Sequence, residues 1–132
     1  MIQLLLWLWA SPASLLGLGL GASGLPTGTR FRRVGRTLEI YGGLIKWLLE
    51  RTPVRAAAMT LGHVIIGQDA EMLDRCREHE LVHVRQYERW GPFFIPAYLS
   101  CSVWLWLRGR NAYLDNPFEV EAYESDMARS LS

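Results

Sequence analysis

Apolar and polar positions divide the 132-residue chain into distinct stretches. Residues 1–25 are almost wholly apolar, rich in Leu, Trp and Gly, and carry no charge. Thr37-Leu38-Glu39-Ile40-Tyr41 alternates and stops at Gly42-Gly43, the pattern of a short strand. Residues 44–51 read as a brief helical or extended segment halted by Pro53, and the β-branched run 58–67, ended by Gly67, reads as a second strand. Residues 69–90 switch to a helical period. Met72, Cys76, His79, His83, Gln86 and Trp90 fall near one face, while Arg75, Glu78, Arg85 and Glu88 lie largely elsewhere. Gln68 or Asp69 can open this helix, acidic residues suit its first turns, and Gly91-Pro92 closes it. A third apolar run, 93–107, ends at Arg108 and Arg110. Asn116-Pro117-Phe118-Glu119 then has the form of a helix start, with Asn116 as N-cap, Pro117 at N1 and Glu119 at N3 of a helix reaching about residue 129. The pattern predicts an α+β, mainly helical fold with a small two- or three-stranded β element, organised as one domain over residues 30–132.

Residues 1–25 stand apart from that domain. About 20 apolar residues span a bilayer as a helix, and Pro12 and the glycines at 17, 19 and 21 are tolerated in membrane helices. The expectation is a transmembrane anchor. A cleaved signal peptide would want Lys or Arg ahead of the apolar run and a small-residue cleavage site after it, and a buried soluble helix would want a polar face. Arg30, Arg32, Arg33 and Arg36 follow at once, which by the positive-inside rule places the domain in the cytoplasm. At 15 residues the run 93–107 is short for a span, and reads as a helix packed on 69–90 or lying in the membrane interface with Trp104 and Trp106 at headgroup depth. Such apolar helices also suit docking onto a larger membrane protein.

The formal charge of +1 conceals polarity: residues 30–55 carry a net +5 and residues 111–132 a net −4. No basic patch is interleaved with aromatics, so nucleic acid is not an expected partner. Cys76 and Cys101 lie outside any Cys-x-x-Cys or Cys/His cluster and read as unpaired thiols.

The chemistry concentrates in His79-Glu80-Leu81-Val82-His83. Histidines four apart stack on one helical face and can grip one metal ion, with the intervening Glu beside it to take a proton from water. Zinc in a hydrolytic site wants a third protein ligand and one open position. Asp115, Glu119, Glu121 and Glu124 all lie on or near the last helix, and spacing alone does not choose among them. Tyr87, Tyr113 and Tyr123 are candidates for polarising a carbonyl.

His79-Glu80-x-x-His83 with a later Glu resembles the gluzincin class of zinc metallopeptidases. In membrane-bound members that Glu opens a Glu-x-x-Ala-Asp motif, and this chain has Glu119-Val120-Glu121-Ala122-Tyr123. The resemblance implies a zincin-like active-site helix, zinc held by His79, His83 and Glu119 with Glu121 as the alternative, and Glu80 as general base in hydrolysis of a peptide or protein. Tyr123 stands where the family has Asp, the residue that would supply a hydrogen bond from behind the metal ligands. Residues 59–126 are also similar to a set of small bacterial proteins sharing His-Val-Arg-Gln-Tyr-Glu-Arg-Trp-Gly-Pro and Asn-Pro-Phe-Glu. By the same resemblance, the strand 60–66 borders the cleft, and His63 on it would stabilise an oxyanion or reach the metal. The competing expectation is a non-catalytic metal-binding membrane protein, or an accessory subunit of a larger membrane assembly.

Overall fold

The computed structural model describes residues 2–9, 11–52 and 56–131. Helices α1 (Ile2–Trp9) and α2 (Ser11–Gly24) lead into strands β1 (Arg30–Val34) and β2 (Thr37–Tyr41) and a short helix α3 (Leu44–Glu50). Strands β3 (Ala58–Leu61) and β4 (Val64–Gly67) precede α4 (Ala70–Trp90), α5 (Phe94–Leu107) and α6 (Pro117–Leu131). The four strands form one sheet in the order β1-β2-β4-β3, antiparallel except for β2 beside β4.

The sheet is larger than expected for two reasons. The run 58–67 is not one strand but a hairpin. Gly62, at φ +66°, opens a two-residue turn with His63, and Leu61 pairs with Val64 across it. Because β4 is buried on both faces, its sequence is continuously apolar and hides the turn. The arginines of 30–36, expected to flank an anchor, instead build β1 and its turn into β2, with Arg30 opposite Tyr41 and Val34 opposite Thr37.

Helices cover both faces of the sheet. On one face Ile40, Val64 and Ile66 meet Ile45 and Leu49 of α3, with Leu18 and Leu20 of α2 against them. On the other, Ile65 meets Leu73 and Val84 of α4. Alternate residues of β4 thus point to opposite helical layers, which is the period of a strand turned into a core.

The expected transmembrane helix over 1–25 does not form. Among the described residues no helix is long and apolar enough to cross a membrane. The apolar run is divided between α1 and α2, of 8 and 14 residues, or about 12 and 21 Å at 1.5 Å per residue against the ~30 Å of a hydrocarbon core. Met1 and Ala10 of that run lie outside the described residues. The glycines have a packing role: a Cβ on Gly17 would come within 2.8 Å of Val64, and one on Gly21 within 2.7 Å of Ile40. They let α2 lie close against the sheet. A Gly-rich apolar helix on a sheet and one in a bilayer share a composition, and packing separates them.

Two polar devices tie the helices to this frame. Glu39, fully buried on β2, accepts hydrogen bonds from Arg32 of β1 and Arg77 of α4, and both arginines also reach Asp74. Three elements are locked through one carboxylate; burial works to raise its pKa, but Arg77 and Arg32 hold it below the usual carboxylate range. Asn116, also fully buried, accepts from the Phe118 N–H as the N-cap of α6, while its amide donates to Tyr98 O and Ser102 Oγ on α5. Asp69 caps α4 by accepting from the Met72 N–H, and Gly91 ends that helix.

Asn116 therefore sets where α6 begins and how α5 meets it. Replacing Asn116 by Ala should lower stability by about 2 kcal/mol, combining a lost cap with partners left unsatisfied in the interior. Urea unfolding measures this, and a loss below about 0.5 kcal/mol, within the range of ordinary surface substitutions, would show that the residue does not anchor the junction.

Candidate metal centre

His79 and His83 lie one helical turn apart on α4, facing α6, and Glu119 enters from the first turn of α6. Glu119 Oε2 is 3.3 Å from Nε2 of each histidine. The three candidate ligand atoms lie within 4.8 Å of one another, and His83 and Glu119 are buried. The local sequence explains the meeting. The i, i+4 spacing brings the imidazoles edge to face, 5.2 Å apart by ring centroid, and the Asn116 cap starts α6 three residues before the carboxylate.

Each of these groups is held from behind. His79 Nδ1 donates to Asp126 Oδ2 at 2.7 Å, and His83 Nδ1 to Gln86 Oε1 at 2.8 Å. Gln86 is itself oriented, because its amide donates to Phe118 O and Glu121 Oε1. Tyr98 Oη donates to Glu119 Oε1 at 2.8 Å and leaves Oε2 to the histidines. Since Asp126 and the Gln86 carbonyl can only accept, the Nδ1 atoms carry the hydrogens and the Nε2 atoms are turned to the shared centre.

These residues fit a zinc ion. Bonds of 2.0–2.1 Å in a tetrahedral site place neighbouring ligand atoms about 3.3–3.4 Å apart, close to the two separations to Glu119 Oε2. Two imidazoles and a carboxylate, each hydrogen-bonded on its far side, form a donor set suited to zinc and leave a fourth position for water. Without metal the charges balance internally. Burial works to lower the His79 pKa, but hydrogen bonds to Glu119 and Asp126 with the nearby carboxylates hold it up at about 9. His83 is raised by the same opposition of burial and Glu119. Burial favours the neutral form of Glu119, yet the two histidines and Tyr98 hold it down at about 2.

Glu80 sits between the ligands in sequence but turns to the sheet, where its Oε2 accepts from Thr60 Oγ1 of β3 at 2.6 Å. Burial pushes its carboxyl above the usual carboxylate range. It borders a cleft of about 330 Å³ that runs past the centre. Ala56, Ala57 and Ala58 wall one side, Arg75, Cys76 and His79 belong to α4, and Tyr113, Tyr123 and Asp126 close the other side. The Tyr113 and Tyr123 hydroxyls are 3.5 Å apart, and the Tyr123 ring lies 4.6 Å from that of His79.

Other sequence candidates are placed elsewhere. Glu121 bonds Gln86 and Arg89 and supports the centre from outside. His63 lies in the β3–β4 turn and pairs with Glu88, nine residues from His79 and so about 13 Å along α4. Tyr87 is buried and donates to Thr60 O. Asp115 accepts from the Asn111 N–H, and Glu124 is exposed. Tyr98, Thr60 and Asp126 were not identified from sequence as parts of the site. Asp126 takes the hydrogen bond expected of an Asp at position 123, from one turn further along α6, and its only sequence signal was a helical register with Glu119. No protein-family model, curated protein or solved structure matches this chain.

Zinc must displace protons from His79 and His83, whose pKa values are raised in the metal-free centre. Affinity should therefore rise with pH, by at least about tenfold per unit between about pH 6 and 8. Competition with a chelator of known affinity measures this, and a flat profile would contradict the assigned ligands.

Proposed function

We propose that this protein is a zinc-dependent metallopeptidase acting through His79, His83, Glu119 and Glu80. The observation that carries the reading is the single Glu119 oxygen set 3.3 Å from both Nε2 atoms, with Glu80 opening onto the adjacent cleft. Zinc bound there would acidify a water molecule and polarise a substrate carbonyl.

The chain's own residues do the rest. Glu80 takes a proton from the attacking water and gives it to the departing amine nitrogen. Its raised pKa suits both halves of that transfer, because a carboxylate that binds a proton more readily is the better base and can hold the proton until it is needed. Thr60, donating to one oxygen of Glu80, fixes the carboxylate and keeps the other oxygen for the proton. Asp126, Gln86 and Tyr98 keep the ligand atoms converged. Tyr113 and Tyr123 are the groups placed to donate to a developing oxyanion.

A peptide suits the cleft better than a compact substrate. Among the described residues β3 pairs with β4 alone, at the end of the sheet, and residues 56–58 line the cleft. An extended chain can add to such an edge by main-chain hydrogen bonds. Three small alanines leave room for its side chains.

Glu80→Gln separates catalysis from binding. The variant should hold zinc as tightly as wild type within about twofold, because the carboxylate is not a ligand, and lose peptide hydrolysis by at least about a hundredfold. Zinc content and cleavage of a mixed peptide library measure the two effects. Equal cleavage by variant and wild type would refute the mechanism. Zinc binding without cleavage by wild type would favour a non-catalytic metal protein.

A further inference from the structure

We propose that the face formed by α1 and α5 rests on an anionic lipid surface, lying on the membrane without crossing it. This inference is independent of the metal centre and concerns the opposite kind of chemistry.

Every described side chain of α1 is apolar or aromatic and exposed, from Trp9 at 43% to Ile2 at 74%. These side chains share one face of the helix, and an exposed apolar face of that kind is ordinarily covered, by protein or by lipid. α5 repeats the feature: Leu99, Val103 and Trp106 follow one another along one stripe, each more than half exposed, with Trp104 and Leu107 beside them. The end of α1 meets the turn that leads into α5, where the Trp9 and Phe93 rings are 6.3 Å apart.

Charge selects the occupant. α1, α2 and α5 contain no charged residue, and the α5 stripe ends in Arg108 and Arg110. The Arg108 guanidinium lies 4.7 Å over the Trp104 ring. On α3, which packs beside α2, Arg51 stacks likewise 4.0 Å over the exposed Trp47. Tryptophans that give way to arginines where an apolar stripe ends match the boundary between hydrocarbon and headgroups, with the indole at the interface and the cation at phosphate depth. A second copy of this chain would bring the same uncharged face and the same Arg108, while the Asp115 carboxylate beside that end already pairs with Arg110. Anionic headgroups supply the missing charge. The dimensions agree, because helices of 8 and 14 residues can lie in the interface though neither can span it.

Sedimentation of the full-length chain with phosphatidylcholine vesicles, with and without phosphatidylglycerol, tests this. The protein should pellet with the anionic vesicles, remain mostly in solution with phosphatidylcholine alone, and be released by salt. Arg108→Gln and Arg110→Gln should each weaken the partition about fivefold, and Trp104→Ser with Trp106→Ser by about tenfold or more. Quenching of tryptophan fluorescence in wild type by brominated lipid gives a reading that does not depend on variants folding. Zinc removal should leave the partition unchanged. Wild type that stays in solution with anionic vesicles, that binds both vesicle types equally, or that forms a stable dimer without affinity for vesicles would overturn the proposal.

Discussion

One carboxylate oxygen organises this molecule's chemistry. Glu119 Oε2 can lie 3.3 Å from two imidazoles only because α4 and α6 cross at the right height. That crossing rests in turn on buried polar contacts: Asn116 starting α6, Tyr98 holding the other Glu119 oxygen, and Gln86 linking His83 to the α6 backbone. A cluster of two histidines and a carboxylate is expensive to bury unless every remaining lone pair and proton is answered. Here each is. The metal-free protein satisfies the cluster by sharing protons between the histidines and Glu119.

The sheet supplies the second half of the site. β3 carries Thr60, which holds Glu80 of α4 against the sheet, and residues 56–58 line the cleft. Its position depends on β4, buried between the α2/α3 layer and α4. The glycines of α2 allow the close approach that buries that core, so a helix that resembles a membrane anchor by composition packs on the sheet beneath the candidate site instead. The Glu39 cluster with Arg32 and Arg77 fastens α4 to the far end of the same sheet.

Local signals were legible in the sequence. Asp69, Gly91 and Asn116-Pro117 marked helix ends by cap chemistry, and the i, i+4 spacing marked two histidines on one helical face, because all of these act within one or two turns. What escaped was non-local or masked. Gly62 was hidden in a β-branched run that is apolar because β4 is buried on both faces. The alternation of β1 was obscured by arginines, one of which pairs with a buried glutamate. Tyr98 and Asp126 could not be assigned because their roles arise from the packing of α5 and α6 on α4. The choice of Glu119 over Glu121 has the same origin. Both lie on one helix, and only the crossing decides which points inward and which turns to Gln86 and Arg89.

The account turns on whether this constellation holds a metal. Elemental analysis of the purified full-length chain, after adventitious ions are removed by dialysis, addresses it most directly when wild type is compared with His79→Ala and Glu121→Ala. The account predicts zinc at about one ion per chain in wild type and in the Glu121 variant, and a marked loss in the His79 variant. Wild type without stoichiometric metal, or equal zinc in all three proteins, would contradict it.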